Sequence, residues 1–282
     1  MAQFIDLSVL MEEKSMEPAP MSMKKVLHGP GAKVISKKML FARKKGLFQK
    51  LKAAFTYYSG KWPLKPESFP QQEFLSNELV TATTHTGTHL DATWHYGSQC
   101  EGQPARQIAD VPLELCYGNG VVLDMTHKEP GSSINKQDVE TALAKIGCSV
   151  GAGDIVLIRT GFDKKWGTPA YFAAHPGMGR DATEYLVECG VKVMGIDAYG
   201  FDRPFGRMVA DYVRTGDSSY LWPSHFYGRE KEYFHMERLA NLDHIPRPFG
   251  FKVACFPIKI KDAGASWVRA VAIIEENIEN KK

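Results

Sequence analysis

Apolar positions along the last two thirds of the chain fall into short blocks of two kinds. The run VVLDM (121–125) has the length and density of a buried strand. QDVETALAKIG (137–147) then spaces its apolar residues as a helix does and stops at Gly147, a residue suited to ending one. DIVLIRTG (154–161) predicts a second strand, RDATEYLVECG (180–190) a second helix and VKVMGID (191–197) a third strand. The closing segments FGFKVACFPIKI (249–260) and WVRAVAII (267–274) are strand-like. Strands alternating with helices predict an α/β fold.

The early part of the chain differs. Within MLFARKKGLFQKLKAAFTYY (39–58), Leu47, Phe48, Leu51 and Phe55 lie near helical spacing. Residues 23–55 carry ten Lys and Arg and no acid, so a formal net charge of +3 leaves the remainder about seven units negative by subtraction. A basic amphipathic helix is compatible with a membrane surface or nucleic acid, with a lid over a site, or with an arm packed on a neighbouring subunit. The lid or subunit contact is favoured, because Phe48, Phe55, Tyr57 and Tyr58 call for burial.

A chain of 282 residues can bury a substantial core, and it is read as a single domain over 1–282 with a basic helical insertion at about 23–60. With 44% hydrophobic and 24% charged residues the composition is that of an ordinary globular protein. No apolar run reaches the roughly 18 residues of a membrane span, and MAQFIDLSVLMEEKS lacks the features of a secretory signal. Five scattered cysteines without a CxxC pair read as free thiols in a reducing cytoplasm, and a small-molecule substrate, with neither membrane nor nucleic acid, is the expected partner. There is no GxSxG elbow and no GxxxxGK[ST] phosphate loop, and the glycine pairs of HGPGAK and YGNG read as turns.

The chemistry concentrates in HTGTHLDATWH, from His85 to His95. It gathers three of nine histidines beside one aspartate, the donor types that divalent metals take. His85, His89, Asp91 and His95 share parity and would face one side of an extended chain, while the threonines around them disfavour helix. A straight strand would nevertheless spread His85 and Asp91 over roughly 20 Å. The segment therefore has to bend, Gly87 is the residue that permits it, and a strand entering a curved loop around a metal is expected. His28, His127, His175, His235 and His244, each alone in sequence, read as ordinary polar residues.

HTGTHLDATWH resembles the HxGTHxDxPxH signature of the metal-dependent cyclase/hydrolase family, which includes bacterial kynurenine formamidase, isatin hydrolase and some polyketide cyclases. His225 in PSHFYG and Glu237 in HMERLANLD resemble the family's downstream His and Glu at the same interval. IDLS near the start, DIVLIRTG, GID at Asp197 and FPIKIKDAGASWVRAVAI extend the likeness from residue 4 to about 275. By itself Glu237, within KEYFHMERLANL, would pass for a surface carboxylate; the interval to His225 makes it a ligand candidate.

The resemblance implies a compact cyclase-like α/β fold with a β-barrel-like central sheet flanked by helices. It implies metal ligands at His85, His89 and Asp91, with His225 and Glu237 completing a second position and Asp91 bridging. One or two divalent ions, Zn2+ or Mn2+, are the implied cofactor. His95 matches the family's catalytic histidine, a role that suits an imidazole titrating near neutrality. Where the signature has proline this chain has Thr93, which would leave the segment carrying His95 freer.

The function expected is metal-dependent hydrolysis of a C–N or C–O bond in a small cyclic or aromatic amide, formamide or lactone. A biosynthetic cyclase using the same metal, or a metal-binding protein without turnover, are the alternatives. Trp94, Tyr96, Trp222 and Phe226, with Phe201, are candidates for an apolar substrate wall, and Arg203 or Arg159 for a substrate carboxylate. A homo-oligomer, dimer or tetramer, is expected by analogy.

Overall fold

The three apolar runs become neighbouring parallel strands at the centre of one nine-stranded sheet in the computed structural model, which describes residues 2–13 and 17–275. In chain order the strands are β1 (Ala2–Asp6), β2 (His89–Asp91), β3 (Tyr117–Asp124), β4 (Asp154–Arg159), β5 (Val193–Ile196), β6 (Phe234–Glu237), β7 (Phe249–Ala254), β8 (Ala265–Trp267) and β9 (Val271–Glu275). Their spatial order is β1-β9-β7-β3-β4-β5-β6-β2-β8. β3, β4, β5 and β6 run parallel, and every other pairing is antiparallel.

Parallel neighbours need crossovers, and the expected helices supply them. Lys136–Ile146 links β3 to β4; its N-terminus is capped by Asn135, whose side chain accepts the Asp138 N–H at 3.0 Å, and Gly147 ends it in the left-handed conformation. Arg180–Glu188 follows between β4 and β5.

Side chains alternate across the sheet. Leu90, Val122, Leu157, Val193, Met236, Phe251 and Ile274 belong to one buried cluster fed by eight of the nine strands. A sheet can bring its two ends into one cluster only by curling, and the chain just after β1 pairs with the chain just after β6, where Ala240 donates to the Leu7 carbonyl at 2.9 Å. That is the barrel-like centre implied by the sequence resemblance. On the opposite face Leu123, Val156, Ile158 and Met194 pack against Val139, Leu143 and Leu186 of the helices. Each fully buried aliphatic side chain contributes roughly 1.5–3 kcal/mol by leaving water.

The chain divides into two compact units, Met1–Pro20 with Thr83–Lys282, and Met21–Ala82. The sheet belongs to the first. The second holds the basic stretch and consists of a hairpin, Ser22–Val26 paired with Asn77–Thr81, and the helices His28–Phe41 and Leu47–Tyr58. The second of these helices has the predicted apolar stripe, but Phe48, Phe55 and Tyr58 are exposed, Phe48 to 81%. The burial expected for these three aromatics is thus not supplied within this unit. Among the described residues, no helix is long and apolar enough to cross a membrane.

Candidate metal centre

HTGTHLDATWH takes three conformations in succession. Residues 84–88 form turns, His89–Asp91 is β2, and Thr93–Tyr96 is one helical turn. The expected strand and curved loop are both present but in the other order: the bend comes first, and of the four residues only His89 and Asp91 lie on the strand. The bend falls at Gly87, as its sequence position suggests: φ is +66°, and a Cβ there would lie 2.7 Å from Met11 Cγ. The Gly87 N–H donates to Glu17 Oε1 at 2.9 Å, and its carbonyl accepts the His89 Nδ1–H at 2.8 Å. Thr93 does not free the segment as expected from the missing proline. It is buried, and its Oγ1 accepts the Arg106 N–H at 2.8 Å, so a hydrogen bond holds what a ring would have stiffened.

β6 lies antiparallel to β2, with His235 opposite Asp91 and Glu237 opposite His89. Residues two apart share a face, so these four side chains form a square on the helix-covered side of the sheet. The intervening Leu90 and Met236 point into the opposite core. Glu237 is thus a buried strand residue, and His235 belongs to the site. Reading His235 alone missed it; its parity with Glu237 in the strand-like YFHME was the available signal.

His225 enters from the short helix Pro223–Tyr227. Asp202 accepts the Ser224 N–H at 2.8 Å and lies 2.5 Å from His225 Nδ1, so one carboxylate fixes both the helix start and the ring. His89, His225 and His235 share a pattern: each Nδ1 is engaged, by the Gly87 carbonyl, Asp202 and the Tyr96 hydroxyl (3.0 Å) respectively, which leaves Nε2 as the free lone pair.

These lone pairs converge on two carboxylates. Asp91 Oδ1 is 3.1 Å from His85 Nδ1 and 3.5 Å from His89 Nε2. Asp91 Oδ2 is 3.3 Å from His235 Nε2 and 4.0 Å from both His225 Nε2 and His95 Nε2. Glu237 divides in the same way, Oε2 at 3.5 Å from His89 and Oε1 at 3.5 and 3.7 Å from His235 and His225. Donors about 2.1 Å from one tetrahedral ion stand about 3.4 Å apart, the spacing found here. His89 Nε2, His235 Nε2 and both Asp91 oxygens are buried without hydrogen-bond partners. Buried polar atoms are rarely left so, and the donor set fits a divalent ion at either of two adjoining positions.

The electrostatics without an ion follow from the same packing. Burial pushes His89 and His95 down to about 4, against the pull of Asp91. Burial also acts to lower His235, but the Asp91 and Glu237 carboxylates outweigh it and raise this ring to about 9. For Asp91, burial favours the neutral acid, yet the facing His89, His85 and His95 hold its carboxyl well below the usual range. Glu237 is likewise lowered, chiefly by His235 overcoming burial.

A cleft opens over His85, His95 and His225, walled by Tyr199, Phe205, Met208 and Trp222. Of the aromatic residues expected to line substrate, Trp222 is in this wall. Tyr96 lies behind the cluster, buried, with its hydroxyl on the Asp91 carbonyl and His235. Trp94 is 43% exposed outside the cleft lining, Phe226 stacks under the Arg229 guanidinium, and the buried Phe201 stacks on His235 at 4.2 Å. Arg203 lines the cleft, paired with Asp211 at 2.8 Å, whereas Arg159 pairs with Asp124 elsewhere. His175, another residue read alone as ordinary, also lines the cleft.

The chain is similar to known proteins in sequence and in fold. Residues 5–203 match the Cyclase family model, described as "Putative cyclase". An isatin hydrolase of Roseibium aggregatum is 27% identical over 205 residues, covering 67% of this chain and 72% of that protein. A kynurenine formamidase of Bacillus cereus is 24% identical over 217 residues, 76% of this chain and 89% of that one. Among solved structures, an isatin hydrolase bound to the product analogue thioisatinate superposes with a TM-score of 0.68 at 20% identity, covering 98% of this chain and 93% of that one.

Proposed function

This chain belongs to the Cyclase family, and we propose that within it the protein is a metal-dependent hydrolase that opens a C–N or C–O bond of a small cyclic or aromatic amide, formamide or lactone. The observation that carries this reading is the set of orphaned donors, His89 Nε2, His235 Nε2 and both Asp91 oxygens, buried beneath an open cleft. His85, His89 and Asp91 would hold one divalent ion, with His225 and Glu237 contributing to a second position. A bound ion would polarise the substrate carbonyl and acidify water at neutral pH.

The protein's own groups supply the remainder. His95 sits at the cleft floor with its side chain 36% exposed, and burial of the ring keeps it neutral at pH 7, so Nε2 is free to accept a proton. We assign it the proton transfer from attacking water to leaving group. Tyr199, Phe205 and Trp222 in the cleft lining favour an aromatic substrate. Arg203 is available at the rim for a substrate carboxylate if it leaves Asp211.

The test is elemental analysis of the purified protein, then hydrolysis of N-formylkynurenine, isatin and an unsaturated lactone before and after chelation. Bound metal with chelator-sensitive hydrolysis of any of the three supports the reading. Bound metal without hydrolysis would shift it to a biosynthetic cyclase, and failure to bind any divalent ion after reconstitution would end it.

A further inference from the structure

We infer that the two metal positions are unequal in kind: His235 closes one of them with a fourth protein ligand, leaving only the other open to the cleft. This rests on the proposal that the site holds divalent metal. His235 lies outside the pair formed by His225 and Glu237 that the sequence resemblance places at the second position.

The geometry is specific. Asp91 Oδ2, His225 Nε2, His235 Nε2 and Glu237 Oε1 surround a point with neighbouring separations of 3.3, 3.5, 3.7 and 4.0 Å, and all four residues are buried. Four protein donors, every one from a buried residue, complete a closed tetrahedral shell, the arrangement of ions that stay in place and take no exchangeable ligand. The His235 ring is fixed: it stacks against both Phe201 (4.2 Å) and Tyr96 (5.2 Å), and the Tyr96 hydroxyl holds Nδ1. A simple ion pair with the carboxylates would be the alternative use of this histidine. That pairing describes the metal-free ring, whereas the gathering of four buried donor residues around one point is what suits an ion.

The other position is differently built. It too has four candidate donors, His89 Nε2, Asp91 Oδ1, Glu237 Oε2 and His85 Nδ1, but the His85 side chain is 31% exposed at the cleft beside His95, so this set is not closed by buried residues. An ion there has a solvent-facing side.

Release of zinc from the fully loaded, full-length protein into excess chromophoric chelator tests the inference without reference to turnover. Two phases of one equivalent each are expected, separated by at least about 10-fold in rate. His235→Ala should accelerate the slow phase by about 10- to 100-fold, or abolish that equivalent, and leave the fast phase unchanged. A single phase in the unaltered protein overturns the inference, as does a slow phase that His235→Ala leaves intact. Should that variant fail to fold by circular dichroism, the traces of the unaltered protein decide alone. Absence of any bound zinc would remove the metal reading as well, whereas equal release of two ions would remove only the inequality.

Discussion

Asp91 and His235 face each other across the antiparallel ladder of β2 and β6, with Asp91 Oδ2 3.3 Å from His235 Nε2. The ladder register therefore sets the separation of two donors some 140 positions apart in sequence, and it does the same for His89 and Glu237. Because side chains alternate, a one-residue slip of β6 would turn His235 and Glu237 into the inner core and expose Phe234 and Met236. The apolar core thus enforces the geometry of the proposed metal ligands.

Removal of the proposed base separates chemistry from binding. His95→Ala should lower kcat by about 10²- to 10⁴-fold with metal content unchanged, because His89, Asp91, His225, His235 and Glu237 keep their mutual geometry. Retained turnover in that variant would exclude His95 from proton transfer.

The raised His235 ring makes the metal-free protein sensitive to pH. Its pKa rises from 6.5 to about 9 on folding, so the stabilisation is fully present below pH 6.5 and is lost as pH climbs through about 9. Chelator-treated protein should therefore melt at progressively lower temperature between pH 6.5 and 9. Metal must displace the same proton, so loading at pH 7.5 should release protons, measurable by titration calorimetry in two buffers of different ionisation enthalpy. No difference between the buffers would contradict a protonated His235.

Asp202 acts through His225. Asp202→Asn should weaken metal binding by about 10- to 100-fold, since the carboxylate fixes the ring and its tautomer at a 2.5 Å contact. The effect is read by competition with a chelator, and affinity equal to that of the unaltered protein would make Asp202 only a helix cap.

Leu90 lies between two proposed ligands and points into the inner core, fully buried. Leu90→Ala should cost about 2–5 kcal/mol in denaturant unfolding. Leu113→Ala, at a position 64% exposed, should stay within about 0.5 kcal/mol. Equal losses at the two positions would deny β2 its role as the anchor of the site.

Periodicity and residue type alone were sufficient for the central strands, the helix ended by Gly147 and the α/β class, because these depend on interactions within a few residues. The candidate residues from His85 to His95 stood out for the same reason: donor types concentrated at one place, with Gly87 as the required bend. Strand register is not written locally, and so His235, read alone, looked ordinary until β6 stood beside β2. Asp202 and the stacking of Phe201 were hidden likewise, since each matters only through a partner more than twenty residues away. The substrate wall was the least legible part, because an aromatic side chain packs equally well in a core or a cleft; only the folded chain placed Trp222 in the cleft wall and Tyr96 behind the ligands. Sequence determined which donors were available and the local bend that begins to gather them. Tertiary structure decided which of them meet, because convergence on Asp91 is fixed by cross-strand pairing and by burial that leaves their lone pairs unsatisfied.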